Sequence, residues 1–89
     1  MLFESSNGAK SGTLSSSAAD YTVLLVSYQV NLSSANSLST TAVMRNGESI
    51  RIEDYSRNSG DLTVSGTSFS MSNQFVSAKV FKVVGLHLS

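Results

Sequence analysis

The sequence predicts an all-β domain, a small antiparallel β-sandwich or flattened barrel of about six to eight short strands. Apolar residues alternate with polar ones at a period of two, and no segment repeats them at helical spacing for three turns. Glycine, asparagine and serine bound the alternating runs. A chain of 89 residues makes a single all-β domain, residues 1–89, and we expect it to assemble as an oligomer.

The composition narrows the classes of partner. Six basic and six acidic residues give a net charge of zero, which provides no reason to expect nucleic acid or an anionic membrane. Twenty serines and six threonines solvate the surface without creating an electric field, which suits neutral partners such as glycans or copies of the chain. Because the chain has no cysteine, it has neither a disulfide framework nor a thiolate metal site.

Targeting and membrane segments are not expected. The N-terminal stretch "MLFESSNGAKSG" has no basic start and no apolar region, which is unlike a signal peptide. The longest strongly apolar run, residues 23–26, is far shorter than the roughly 20 residues that a transmembrane helix needs. We therefore expect no membrane insertion.

The N-terminal segment predicts two short strands, at Leu2-Phe3 and around Thr13-Leu14, with a turn at Asn7-Gly8 between them. The stretch "YTVLLVSYQV", Tyr21 to Val30, predicts a longer strand that is apolar on one face throughout and on the other face in its first half. The following segment, Asn31 to Thr41, has too little apolar content for a core and predicts a surface loop or a frayed edge.

The last segment, from Phe75, predicts a second strand that is apolar on both faces. One face holds Ala78, Val80, Val84, Leu86 and Leu88, and the other holds Phe81 and Val83. Strands of this kind are covered on both sides, either by a second sheet or by a neighbouring subunit. We therefore expect this strand and the one at Tyr21 to Val30 to be central neighbours.

Two hairpins are predicted between these strands. The Asn46-Gly47 pair favours a two-residue type I′ turn, in a register where Arg45 faces Glu48, Val43 faces Ile50 and Thr41 faces Ile52. In "DLTVSGTSFSMSN", a loop at Ser65-Gly66 pairs Val64 with Thr67 and Leu62 with Phe69. That second register gathers Leu62, Val64, Thr67, Phe69 and Met71 on one face and leaves the other face to hydroxyl residues.

The segment "RIEDYSRNSGD" concentrates groups that are able to bind a ligand. Sugars are commonly held by an aromatic face together with planar polar groups, and this segment offers both. An ordinary solvated loop between two strands is the competing interpretation. The candidate ligand-binding residues are Arg51, Asp54, Tyr55, Arg57 and Asn58.

Catalytic and metal sites are not predicted. No nucleophile-elbow pattern occurs, and the one histidine, His87, is the third residue from the end of the sequence. Glu53 and Asp54 are adjacent in the sequence, so on a strand their carboxylates point to opposite faces. We expect no enzyme activity, no metal and no cofactor.

Both ends of the chain resemble a small C-terminal module of phage and prophage tail-fibre and minor structural proteins. That family opens on an L-[YFW]-x-[SG] motif, continues through G-x-[TV]-x-L-S-x-S-A-x-[DN]-[YF], and ends on a strand with [KR]-[VI]-[VI]-G. The matching residues are Leu2-Phe3, Gly12-Thr13-Leu14, Ser17-Ala18-Ala19-Asp20-Tyr21 and Lys82-Val83-Val84-Gly85-Leu86. The middle of the chain, residues 31–58, matches nothing in this pattern, and Leu86 stands where the family usually has an aromatic residue.

The resemblance implies a non-enzymatic virion protein, used in host-surface attachment or in fibre assembly. Such modules usually form homotrimers, contact other virion subunits, and in some cases recognise a host cell-surface glycan. The implied location is the particle surface, after synthesis in the bacterial cytoplasm. A head-decoration or capping protein with a purely structural role is the alternative, and a glycan hydrolase or esterase is a more remote one.

Overall fold

The computed structural model describes residues 1–33, 36–73 and 75–87, and in these ranges the chain is all-β, as predicted. The described strands form two antiparallel four-stranded sheets. Their bounds are β1 Phe3–Ala9, β2 Ser11–Thr13, β3 Val23–Asn31, β4 Ser37–Met44, β5 Ser49–Glu53, β6 Ser59–Ser65, β7 Ser68–Met71 and β8 Ala78–Leu86. A short 3-10 turn, Ala18–Asp20, precedes β3.

The two sheets pack face to face as a sandwich. One sheet has the order β1-β8-β3-β4, and the other has the order β2-β7-β6-β5. The core between them is built from one face of each strand, including Leu24 and Val26 of β3, Val83 of β8, and Leu62 and Phe69 of the second sheet. Burial of such apolar side chains is the main driving force for folding.

The prediction that the two doubly apolar strands are central neighbours is confirmed. β3 pairs with β8 along almost its whole length, from Val23 opposite Leu86 to Val30 opposite Ala78. The even positions of β3 face the core, and Leu24 and Val26 are completely buried.

The face assignment of the last strand is wrong in its second half. The pairing of β3 with β8 shifts by one residue between Ser27 and Tyr28, where Phe81 is the extra residue in β8. A β-bulge of this kind reverses the faces beyond it. Val83 is therefore in the core and Val84 is half-exposed on the outer face. Leu88 lies outside the described residues.

The hairpin predicted at Asn46-Gly47 is also wrong, although the turn is present. β4 pairs with β3 and β5 pairs with β6, so the turn is an arch between the two sheets. Val43 accordingly lies on the outer face and is 65% exposed, rather than packed against Ile50. An Asn-Gly pair specifies a tight turn, but it does not specify whether the strands on either side pair with each other.

The geometry of this arch explains why it is not a type I′ turn. Only Gly47 has a positive φ, 85°, whereas type I′ needs positive φ at both central positions. The Glu48 carboxylate accepts from the Arg45 backbone N–H at 2.6 Å, so the charged side chains do not form the predicted cross-strand pair. The Gly47 N–H donates to the carbonyl of Val64, which ties the arch to β6.

The hairpin of β6 and β7 is confirmed, with a register that differs by two residues. Val64 pairs with Phe69 and Leu62 with Met71, so the loop is Gly66-Thr67. Gly66 has a φ of 59° at the first central position, which is the pattern of a type II′ turn. Because a shift of two residues preserves the faces, the predicted inward and outward sets stand, except that Thr67 lies in the turn.

The first two strands lie near their predicted positions. Residues Asn7 and Gly8, however, form an irregularity within β1 rather than a turn between two strands, since the pairing of β1 with β8 shifts between Glu4 and Ala9. The segment predicted as a loop or frayed edge, Asn31 to Thr41, contributes its second part to β4, an edge strand.

Candidate binding groove

A groove of about 530 Å³ lies on the sheet that contains β1, β8 and β3, where the strand β8 begins. It is built from separate parts of the chain: β1, the single residue between β1 and β2, the end of β3, and the loop that leads into β8. Its lining mixes cations, amides and aromatic rings. The residues used below are Asn7, Lys10, Gln29, Asn31, Phe75 and Lys79.

Two lysines place positive charge in this groove. The Lys10 ammonium donates a hydrogen bond to the backbone carbonyl of Val76. Burial lowers the pKa of Lys10, and the positive charge of Lys79 lowers it further, against a smaller opposing effect of Asp54. Both lysines line the groove and no carboxylate is among its described lining residues, so the groove favours a negatively charged ligand group.

The irregularity in β1 brings its backbone directly over β8. A Cβ atom at Gly8 would lie 2.7 Å from Cβ of Lys79 and 2.9 Å from Cζ of Phe81, and the φ of Gly8 is 79°. Only glycine accepts both the close approach and this φ without strain. Gly8 thus allows the preceding Asn7 to line the groove.

Phe75 presents an aromatic face beside these polar groups, with 71% of its surface exposed. Its backbone is fixed at both ends, because the Phe75 N–H donates to Asn73 Oδ1 at 2.9 Å and its carbonyl accepts from Asn58 Nδ2 at 3.3 Å. An exposed ring on an anchored backbone is a suitable platform for the apolar face of a sugar.

Of the five residues predicted to bind a ligand, Asp54 turns inward and is only 6% exposed. Its Oδ1 atom accepts from the Ser56 N–H and the Ser56 hydroxyl, both at 2.8 Å, and from the Asn58 N–H at 3.1 Å. Its Oδ2 atom accepts from the Ser77 N–H at 2.7 Å. Asp54 therefore joins its own loop to the segment that forms one wall of the groove.

The pKa of Asp54 reflects this set of donors. Burial alone raises the pKa of the carboxyl, but the hydrogen bonds from Ser77, Ser56 and Asn58 outweigh burial and lower it to about 2. Hydrogen bonds to the ionised form favour that form. Asp54 is consequently a carboxylate at neutral pH and holds the loop in one conformation.

The other predicted residues lie on the strand β5 and on the loop that follows it. Arg51 lies on β5, where its Nε is 3.8 Å from Asp61 Oδ1 and both side chains are largely exposed. Tyr55 is 49% exposed, and its backbone N–H donates to the carbonyl of Asn31, which lines the groove.

Arg57 and Asn58 complete the predicted set. Arg57 is exposed in the same loop and has a φ of 68°, the one positive φ of a non-glycine residue in the described chain. Asn58 donates from its side chain to the Ser56 hydroxyl at 3.1 Å, as well as to the carbonyl of Phe75. Tyr55 and Arg57 are thus exposed side chains of one loop, whereas Arg51 lies on the strand β5 that precedes this loop.

Sequence reasoning missed the lysines, Gln29 and Phe75. They come from distant segments, and nothing in their local sequence distinguishes them from ordinary surface residues. Their proximity follows from the pairing of β8 with both β1 and β3.

Elsewhere, His87 is exposed and its ring lies 4.8 Å from the ring of Tyr21. Within the described ranges, no group of three or more His, Cys, Asp or Glu side chains could hold a metal ion. Nor does that part of the chain contain a helix long and apolar enough to cross a membrane.

Comparison of the chain with known protein families, with curated proteins and with solved structures finds no match.

Proposed function

We propose that this chain is a non-enzymatic structural module of a bacteriophage or prophage particle, carried on a tail fibre or receptor-binding tip and used to attach to the host surface. The groove that contains Lys10, Lys79 and Phe75 carries the proposal, because it combines positive charge with an exposed aromatic ring. The assignment to a phage or prophage fibre comes from the resemblance of both chain ends to fibre modules. The proposed location is the particle surface, after synthesis in the bacterial cytoplasm.

The ligand that best fits this groove is an acidic glycan of the host surface. The apolar face of a sugar ring would lie on Phe75, while the side-chain amides of Asn7 and Asn31 would form hydrogen bonds with its hydroxyl groups. A carboxylate or phosphate substituent would lie near Lys10 and Lys79, which bind such groups as point charges. Several weak sites on one oligomeric particle would give avidity without a deep pocket.

Binding of oligosaccharides with carboxylate or phosphate groups, and of neutral ones with the same linkages, tests this function by calorimetry or NMR titration. We expect the acidic set to bind, and Lys79→Gln to weaken binding roughly 5- to 10-fold, as the loss of one net hydrogen bond of about 1 kcal/mol would. Phe75→Ala should weaken both sets.

The control is Lys82→Gln on the same strand. Lys82 is exposed and lies opposite Glu4 and Ser27, outside the groove. If Lys82→Gln weakens binding as much as Lys79→Gln, the groove is not the site. Absence of any binding by the folded chain would overturn the attachment function.

The loop residues Tyr55 and Arg57 are tested separately, since they lie on the loop that borders the groove. Replacement of both with alanine should reduce adsorption of the particle to host cells if the loop contributes to the ligand contacts. Unchanged adsorption with an intact fold would restrict the site to the groove.

A purely architectural role, as a head-decoration or capping protein, is the second candidate. The long uncharged edge strand β4 favours it, since such an edge suits contact with other subunits. A stable assembly that binds no glycan of either kind would support this role. A glycan hydrolase or esterase would require turnover that is lost in His87→Ala.

A further inference from the structure

The strand β4 differs from the other strands at the sheet edges of the described chain. The edge strands are β1 and β4 in one sheet and β2 and β5 in the other. An edge strand exposes unpaired backbone N–H and C=O groups, and proteins usually protect it with charge, with a bulge or by keeping it short.

Three of these described edges carry such protection. β1 has an irregular pairing between Glu4 and Ala9, as well as the charge of Glu4. β2 is only three residues long. β5 carries Arg51 and Glu53, both exposed. Each of these features opposes the addition of another strand.

β4 has none of these features. Its sequence, SLSTTAVM, contains no charged residue and extends over eight residues. Its pairing with β3 is regular from Ser37 to Met44, without a bulge. Two large apolar side chains near its ends, Leu38 and Val43, are 46% and 65% exposed. This edge is therefore long, regular, uncharged and partly apolar.

We propose that β4 pairs antiparallel with β4 of a second copy of this chain, so that the two sheets join into one eight-stranded sheet across a twofold axis. This inference does not rest on the groove. The partner is a second copy of the chain, because the centre of β4 is complementary to itself in one antiparallel register.

Geometry limits the possible registers. Two antiparallel copies that share one continuous sheet are related by a twofold axis perpendicular to that sheet. The core-facing side of the sheet is therefore the same in both copies. Residues directly opposite each other must then share a face, and side chains alternate between faces. The twofold axis therefore passes through a residue position, and not between two positions.

The register centred on Thr40 matches like with like in its three central pairs, and only its outermost pair, Ser37 opposite Val43, mixes polar and apolar side chains. Thr40 then lies opposite Thr40 of the second copy, Ser39 lies opposite Thr41, and Leu38 lies opposite Ala42. Cross-strand hydroxyl pairs and apolar pairs of this kind are favourable. A register centred on Thr41 would instead mix polar and apolar side chains in two pairs next to the axis, Ser39 opposite Val43 and Thr40 opposite Ala42.

Because the described part of each chain has one such edge, antiparallel pairing through β4 ends at two copies. A dimer has twice the chain mass of 9.4 kDa, whereas the homotrimer implied by the resemblance has three times that mass. Light scattering of the 89-residue chain separates the two. We expect the dimer.

A cysteine scan tests the register, since the chain has no cysteine of its own. In the proposed register, Thr40→Cys places the two introduced thiols directly opposite each other, within the Cα separation of about 4.4–6.8 Å that a disulfide needs. Thr41→Cys is the matched comparison, because its two copies would be diagonal neighbours about 7–8 Å apart. Mild oxidation should crosslink Thr40→Cys and leave Thr41→Cys mainly monomeric on a denaturing gel.

Charge repulsion tests the edge itself. The double substitution Ser39→Lys and Thr41→Lys places like charges opposite each other on two exposed positions, and we expect loss of the dimer mass with the fold retained. Ser70→Lys, on the exposed face of β7, is the control and should leave the mass unchanged.

Several results would contradict the pairing of β4 with β4 or its proposed register. A monomer at all concentrations, or a dimer that survives the double substitution, overturns pairing through β4. A crosslink in Thr41→Cys in place of Thr40→Cys overturns the register. A monomer that takes up an extended peptide from another virion subunit along β4 would show that the edge serves a different partner.

Discussion

The ring of Tyr21 lies against Gly85, so closely that a Cβ atom at position 85 would be 2.5 Å from Cδ1 of the ring. Tyr21 lies two residues before β3 begins at Val23, and Gly85 lies in β8 opposite Leu24. The Tyr21 hydroxyl is also 3.1 Å from the hydroxyl of Ser16. The contact joins residues from opposite ends of the chain, because the segment before β3 packs on the end of β8.

Replacement of Gly85 by alanine should destabilise the fold through this contact. The added methyl group must displace the Tyr21 ring or the β8 backbone, and overpacking of this kind costs about 1–3 kcal/mol of unfolding free energy. Urea denaturation followed by circular dichroism measures the change.

The same substitution in a Tyr21→Ala background is the control. Without the ring, the methyl group has space, so the cost of Gly85→Ala should fall to less than half. Equal costs in both backgrounds would mean that the ring is not the obstacle.

Gly8→Ala should be more destabilising than Gly47→Ala. Both glycines have a positive φ, 79° and 85°, so both alanine variants incur the conformational cost of about 1–2 kcal/mol. Only at Gly8 would the new Cβ atom also meet Lys79 and Phe81, since nothing lies within 4 Å at Gly47. The difference in unfolding free energy between the two variants measures the close approach of β1 to β8, and similar values would contradict it.

Asp54 should make stability depend on pH in the acid range. Its folded-state pKa of about 2 lies below the ordinary value of 3.8. The stabilisation is therefore complete above about pH 4 and is lost as the pH falls from about 4 towards 2, with one proton taken up on unfolding. Thermal unfolding at a series of pH values between 2 and 7 measures this dependence.

Asp54→Asn should be less stable at pH 7, because its side-chain NH₂ group would face one of the backbone N–H donors, and it should show a flatter dependence between pH 4 and 2. Asp20→Asn, at an exposed position in the 3-10 turn, is the matched control and should behave as the parent chain. A parent-like acid profile in Asp54→Asn would show that another group sets the dependence.

Ile52 and Val43 should contribute very differently to the unfolding free energy, because the arch between β4 and β5 buries one and exposes the other. A hairpin would place both on one face. Ile52→Ala should lower the unfolding free energy by about 2–5 kcal/mol, because Ile52 is buried in the core. Val43→Ala should change it by no more than about 0.5 kcal/mol, because Val43 is exposed. Comparable losses in the two variants, measured by urea denaturation, would favour the hairpin.

The two turns show that a sequence pattern predicts which face of a strand is buried, but not which strand it pairs with. At Gly66 the alternation of Leu62, Val64 and Phe69 defined the buried face correctly, although the paired residues differ by two. At Gly47 the same kind of turn signal predicts a hairpin, but its flanking strands belong to different sheets. In β8 the extra residue Phe81 reversed the faces, and nothing in the local sequence marks that bulge.

In the candidate site, too, the sequence predicts some features, and others depend on contacts between distant residues. Sequence composition singled out the loop with Tyr55 and Arg57, which the structure leaves exposed. It gave no sign that Asp54 would be buried, because its donors include Ser77, a residue distant in the sequence. The groove depends entirely on such distant contacts.

By itself, the sequence determined that the chain is all-β, where most strands lie, and which faces of β3, β6 and β7 are buried. These properties are local, since side chains alternate along any strand whatever its partner. The tertiary structure decided which strands pair, where the bulges lie, which edge remains unprotected and which side chains meet in the groove. Those features depend on how two sheets close around one core, and residues far apart in the chain determine that closure together.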